Sequence, residues 1–460
     1  MAEAASAPQP AQADLRARAL AAHRAGQLAE AREAYAAWLA RHPGDAGFWS
    51  NLGALLRSEG QLSLALHAQR RAAALEPEGR GIRNNLANIL HDTGAFDEAL
   101  PLRQALAEAH PEEAEPRAML GKTLRSMGRL EESIAVLKSG VARFPGHAET
   151  RLQLSLSQLA AGAYAEGFAN YAIRWETGEL TPRRIGRPKW EGESLAGKRI
   201  LVLPEQGFGD AIAFLRFLPV LRQFSPAEVI LSAEGPVHRL IEGIDGAGSI
   251  VRGVPEEAEF DVWANVMDLP ALHFALTDEV PGPAALTLPE EATRRARAMT
   301  APHRGAFRVG VVWTGSLTYR GNAQRSFPHE RLHDLLDVPG LRMFSLYKGP
   351  KLKEFREDGT AALIPDFGGS ERDFADNAAM MKEMDLILTS DTATAHVAGS
   401  LGVPVWLLLH TDPFWLWRPS GERTPWYPSM RLVRQSAPGD WAEVFARLKP
   451  ELAALAAEKA

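Results

Sequence analysis

Cysteine is absent from all 460 residues, which excludes disulfides, thiolate nucleophiles and cysteine-based zinc sites. Long apolar runs are missing as well: none approaches the ~20 residues that a bilayer-crossing helix needs. Basic excess is also lacking. The chain carries 51 Lys+Arg against 57 Asp+Glu, a formal net charge of -6, which argues against a nucleic-acid partner because phosphate neutralisation needs a basic face. Residues 1–14 are rich in Ala, Pro and Gln without the basic-then-apolar order of a signal peptide, so they read as a flexible tail. These absences point to a soluble, cytoplasmic protein with no membrane span. What remains is ordinary globular composition, 46% hydrophobic and 23% charged, in a chain long enough for about three domains.

The first 180 residues repeat. Gly26, Gly60, Gly94, Gly128 and Gly162 stand 34 apart, each between two helical patterns, and Pro43, Pro77, Pro111 and Pro145 keep the same interval. Ala31, Ala65 and Ala99 fall five residues after their glycines, where two helices must approach closely. Each helix pair has an apolar face that it cannot bury alone, so neighbours stack into an α-solenoid with a groove suited to a peptide or a partner protein. The fifth unit has Gly167 at the small-residue position and runs into Trp175-Glu176, which suits a cap joined to a second domain. A basic, proline-containing stretch then marks a linker. The resulting division is 15–180 for the repeats, 181–197 for the linker, and two α/β halves over 198–300 and 301–460.

Both halves alternate apolar strands with helices, as parallel sheets do. In the first, the strand Arg199–Leu203 leads into Glu205-Gln206-Gly207-Phe208-Gly209-Asp210 and a helix expected over 211–223. Gly207 and Gly209 resemble half of a dinucleotide fingerprint, but the third glycine position holds Ile212. Asp210 suits either a helix N-cap or a general base exposed at a strand's carboxyl end. In the second half, strands are expected at 308–314, 344–347, 361–364, 384–389 and 405–409. The fourth of these ends in Ser390-Asp391-Thr392-Ala393-Thr394-Ala395-His396, where a small-residue helix begins. A helix start at the carboxyl end of a parallel strand is a natural phosphate site. Arg325 and Lys348, each following another strand, would supply cations for the phosphate oxygens. His396, one turn further on, suits a packed histidine or a ligand contact equally. Trp415, Trp417, Trp426 and Tyr427 are expected to pack together over the cleft.

Taken together, the 34-residue repeats, Glu205–Asp210, Arg325-Ser326, Ser345-Leu346 with Lys348-Gly349, Asp391-Thr392-Ala393 with Ala395-His396, and Trp426-Tyr427-Pro428 resemble bacterial tetratricopeptide-repeat proteins fused to a heptosyltransferase-like glycosyltransferase. The resemblance implies a GT-B-type pair of Rossmann-like domains after the solenoid, with the acceptor on the first half and the nucleotide-sugar donor on the second. It implies a metal-independent inverting transfer with no cofactor beyond the donor, in which Asp210 is the base. Gln206, Gly207 and Gly209 would then form the acceptor-side loop. Arg325, Lys348, Asp391, Thr392, Ala393 and His396 would hold the donor, with Ala393 replacing the family's usual glycine. The acceptor would be a protein hydroxyl recruited by the repeats, flagellin among the possibilities. The alternative is a protein-binding scaffold with an inactive transferase domain.

Overall fold

A computed structural model of the chain describes residues 10–319 and 321–459. The expected flexible tail therefore lies outside the described residues as far as residue 9, while residues 10–14 are already helical. The chain divides into two compact units between Gln153 and Leu154.

The helical region runs α1 (Pro10–Arg24), α2 (Leu28–Leu39), α3 (Ala46–Ser58), α4 (Leu62–Leu75), α5 (Arg80–Asp92), α6 (Phe96–Ala109), α7 (Ala114–Ser126), α8 (Leu130–Arg143), α9 (Ala148–Ala161) and α10 (Tyr164–Tyr171). The period has a backbone cause. The five glycines between paired helices all take positive φ, 73°, 77°, 75°, 72° and 83°. This left-handed conformation ends a helix and costs other residues about 1–2 kcal/mol. Ala31, Ala65 and Ala99 are fully buried, as close helix pairing requires. Gly121 carries the same requirement furthest: a Cβ there would sit 2.3 Å from Leu137 Cγ.

In the second unit, α10 and a short 3-10 turn over Ala172–Trp175 precede β1 (Arg199–Leu203), α11 (Phe208–Phe214), β2 (Glu228–Ser232), β3 (Ser249–Val251) and β4 (Val262–Asn265). These four strands form one parallel sheet in the order β3-β2-β1-β4. A second parallel sheet, ordered β6-β5-β7-β8-β9, contains β5 (Phe307–Val312), β6 (Leu341–Ser345), β7 (Leu386–Ser390), β8 (Val405–Leu409) and β9 (Met430–Arg434). The fold is thus a solenoid of paired helices followed by two Rossmann-like α/β halves. Strands β7 and β8 are buried at every residue, the continuous apolar pattern of strands covered on both faces. Among the described residues no helix is long and apolar enough to cross a membrane.

Three local expectations need correction. Residues 361–364 are not a strand. Gly359 takes φ 86°, Asp358 Oδ1 accepts from Thr360 N at 2.9 Å, and a helical turn follows over Thr360–Leu363. The helix expected over 211–223 is α-helical only as far as Phe214; the 3-10 segment Leu215–Phe224 contains Pro219, which has no N–H to donate. Strand β9 had no counterpart in the sequence reading, because the aromatic loop before it masked its short alternation.

Candidate active site at the two switch points

In each sheet the strand order reverses direction once, between β1 and β4 in the first and between β5 and β7 in the second. Open α/β sheets bind ligands outside the carboxyl ends of the strands at such reversals. The segments following β1, β5 and β7 carry Glu205–Asp210, Gly315–Arg325 and Asp391–Ala393, most of the residues singled out from the sequence.

The turn after β1 is tightly held. Glu205 is 3% exposed, and both its oxygens take the Arg174 guanidinium, each at 2.6 Å. Gln206 adopts φ 61°, unusual for a residue with a side chain, and its Nε2 donates to Tyr171 Oη at 3.1 Å. Gly207 N–H then donates to Asp210 Oδ2 at 3.2 Å. Asp210 is therefore not the N-cap, which is Gly207; it is the third residue of α11 and accepts from the N-cap's N–H while staying half-buried. Burial pushes its carboxyl up to about 6, with help from the charges of Asp391 and Glu205 and against the Gly207 N–H.

The opposite wall is the helix Ala393–Ser400. Its N-cap, Thr392, makes no side-chain capping bond, so the hydroxyl does not block the helix start. Asp391 is buried and its carboxyl is raised by that burial, opposed by the Trp417 indole and the Arg325 guanidinium. Arg325 is steered by Asn322, whose Oδ1 accepts from Arg325 Nε at 3.2 Å and from Gly315 N at 3.1 Å. A Cβ on Gly315 would meet Arg325 Nη2 at 2.6 Å and Thr392 Cγ2 at 3.1 Å, so guanidinium and helix start converge on this one glycine. The Tyr319 ring covers Arg325, its centroid 4.5 Å from the guanidinium carbon.

These walls meet. A Cβ on Gly209 would lie 3.2 Å from Ala393 Cα, 3.4 Å from Ala393 N and 2.8 Å from His396 Cδ2. The start of α11 therefore rests on the start of the second helix, at a glycine where only hydrogen fits. The Tyr319 phenol is raised by its partial burial first, with Arg325 lowering it and Asp391, Asp210 and Asp412 raising it. His410 is held low by burial first, with Asp412 pulling it up and Arg325 pushing it down.

Two expected donor contacts are engaged in internal bonds. His396 is buried, its Nδ1 lies 3.0 Å from Tyr427 Oη, and its ring stacks on Trp417 with centroids 5.2 Å apart. Burial, then Arg216 and Arg325, hold it down to about 3, so it is neutral. Lys348 Nζ donates to the carbonyls of Glu371 and Arg372. Arg320, in the loop after β5, lies outside the described residues.

Other contributors were missed. Arg216 is buried beneath the cleft, donating to Trp426 O at 2.8 Å and Pro281 O at 3.1 Å, with its guanidinium carbon 4.7 Å from the Tyr427 centroid. It reads in sequence as one polar position on an amphipathic helix, and nothing local marks its partners. Tyr171 and Arg174 were overlooked for the same reason, and Glu205 was read only as part of the turn motif. The aromatic loop packs as expected: Trp415, Trp417, Trp426 and Tyr427 are all buried, and Trp415 and Trp426 pack against Phe214. Among the described residues no group of three or more His, Asp or Glu side chains is gathered so as to hold a metal ion.

Residues 50–114 and 118–173 match the tetratricopeptide repeat model. The helical region from within α3 to the end of α10 is therefore built of tetratricopeptide repeats. Among curated proteins, the chain is 27% identical over 328 residues to protein FlbA of Caulobacter vibrioides, an alignment covering 65% of this chain. It spans about half of that relative, 54% of its length. Solved structures with partial likeness include the glycosyl transferase family 9 protein from Veillonella parvula DSM 2008, with TM-score 0.42 and 16% identity over 56% of this chain and 90% of the other. Another is MamA from Desulfovibrio magneticus RS-1, with TM-score 0.34 and 19% identity over 38% of this chain and 100% of the other. Neither overlay reaches 0.5, so the geometry must carry the functional reading.

Proposed function

We propose that the second unit is a glycosyltransferase that moves a sugar from a nucleotide donor to a hydroxyl of a protein recruited by the repeats. The observation that carries this reading is the meeting of a base-like carboxyl, Asp210, with an uncapped helix start flanked by Arg325. In this reading the donor's phosphates lie against the amides at Thr392–Thr394, with Arg325 balancing the charge that develops on the leaving nucleotide. The acceptor oxygen attacks the anomeric carbon as the bond from that carbon to the phosphate oxygen breaks. The acceptor's proton passes to Asp210, and the anomeric centre inverts. A carboxyl raised to about 6 is poised for that transfer near neutral pH, being mostly ionised yet a stronger base than an ordinary aspartate. With Gly209 and Ala393 this close, the halves would part to admit substrates and close again around them. Lys348 would reach a phosphate only by leaving its carbonyl partners.

The experiment is a thermal-shift series with UDP, CMP, GDP and ADP and their sugar conjugates on the wild-type chain and on Asp210→Asn. A donor at 100 times its Kd should stabilise both chains by about 2.7 kcal/mol, and only the wild type should turn it over. Mass spectrometry of secreted filament proteins, flagellin included, from cells with and without the gene would identify the acceptor. The scaffold reading draws on the internal bonds of Lys348 and His396. It wins if no nucleotide shifts the melting temperature.

A further inference from the structure

The residues in front of Asp210 are held by side chains from the last repeat helix and the turn after it. We infer that Arg174 and Tyr171 are positioning residues for the Asp210 carboxyl, acting through Glu205 and Gln206. The inference deepens the transferase reading and relies on it for its catalytic meaning, although the positioning itself can be measured without any substrate.

Arg174 is 4% exposed and grips Glu205 with two nitrogens at 2.6 Å while Nη2 also reaches Asp268 at 2.7 Å. Lys189 Nζ, 2.9 Å from the other Asp268 oxygen, completes the set. A planar two-point fork fixes orientation as well as distance. Glu205 in turn acts on Asp210 as a like charge, so the guanidinium that neutralises Glu205 also limits how far Asp210 is raised. Tyr171 works through geometry. The Gly207 N–H that donates to Asp210 belongs to the peptide plane following Gln206, and that plane is set by the Gln206 backbone. Gln206 persists at φ 61° only if its surroundings hold it there, and the bond from its amide to Tyr171 Oη is such a hold. The groups from other elements that interact electrostatically with Asp210 are Asp391, in the turn before the second helix, and the phenols of Tyr319, Tyr427 and Tyr171, while His396 lies beside the neighbouring Gly209. Arg325 acts on Asp391 within this set.

The test is carboxyl labelling of the full chain with a water-soluble carbodiimide and glycine ethyl ester across pH, read by mass spectrometry at the peptide containing Asp210. Arg174→Gln should move the pH midpoint of Asp210 labelling upward by about one pH unit, because it leaves Glu205 uncompensated. The double variant Arg174→Gln with Glu205→Gln should bring it back to the wild-type value or below. Tyr171→Phe, which deletes one hydroxyl, should also raise the midpoint by loosening the Gly207 N–H. This milder variant decides the question should Arg174→Gln not fold. A folded Arg174→Gln with an unmoved midpoint, a double variant that is not rescued, or a Tyr171→Phe chain identical to wild type overturns the inference. Labelling consumes no donor, so a chain that shows these shifts but turns over no nucleotide sugar refutes the transferase reading alone.

Discussion

Replacing Asp210 by asparagine should make the protein more stable above neutral pH. The side chain is half-buried, and its carboxyl sits at about 6 against 3.8 for an ordinary aspartate. At 1.36 kcal/mol per pH unit, that gap corresponds to about 3 kcal/mol of destabilisation borne by the ionised native form, an upper bound given the partial exposure. The sign follows from proton counting. Below pH 3.8 the group is protonated in both the folded and the unfolded chain and contributes nothing. Between 3.8 and about 6 the unfolded chain ionises first, so stability falls as pH rises, and the full deficit is present beyond that window. Asparagine removes the charge and keeps an oxygen to accept from Gly207 N–H. In urea unfolding, Asp210→Asn should gain about 2–3 kcal/mol over wild type at pH 8, gain less at pH 5 and converge with it below pH 4, with an unchanged m-value. A variant that is equally stable or weaker at pH 8, or that gains as much at pH 3.5, would refute the argument that this carboxyl is held at a desolvated site for function.

Gly209→Val should destabilise the second unit by about 1–3 kcal/mol in urea unfolding, because its side chain meets the backbone of Ala393 and a histidine already fixed by Tyr427. Gly121→Ala should cost the repeats a similar ~1–3 kcal/mol by far-UV circular dichroism, since the new methyl falls within 2.3–2.7 Å of the buried Leu137 side chain. Gly44→Ala, with nothing within 4 Å of its Cβ, should change stability by less than about 0.5 kcal/mol. Arg325→Ala should abolish the nucleotide-induced rise in melting temperature while leaving the unliganded midpoint near wild type, as its guanidinium contacts the Tyr319 face and Asn322 and makes no ion pair among the described residues.

How far the site could be read in advance depended on whether its chemistry was local. Gly207, Gly209 and Asp210 announce a strand-to-helix turn through residue type and spacing, and Asp391-Thr392 announces another, because backbone strain and capping act within a few residues. Lys348 illustrates the opposite case. A lysine after a strand is equally suited to a phosphate or to a carbonyl, and its partners at Glu371 and Arg372 are chosen by how a later loop folds back. His396 was open between two uses, and the Tyr427 hydroxyl that engages it comes from a loop 31 residues further on. Residues 361–364 show the limit for short elements: four apolar or small residues fit a strand or a helical turn equally, and Gly359 with Asp358 decided for the turn.

The amino-acid order alone determined the repeat, since a left-handed glycine every 34 residues is a local backbone requirement. It likewise determined that two parallel sheets would follow, because continuous apolar runs separated by helices can be buried in few other ways. Only the tertiary structure decided that Asp391 acts on Asp210, that Gly209 is the point where the two helix starts touch, and that Arg174, from the turn after the last repeat helix, neutralises the glutamate beside the proposed base. The physical reason is range. Conformational preference is settled by neighbours in the chain, whereas a carboxyl's proton affinity is set by whatever burial and charge the fold brings within a few ångströms.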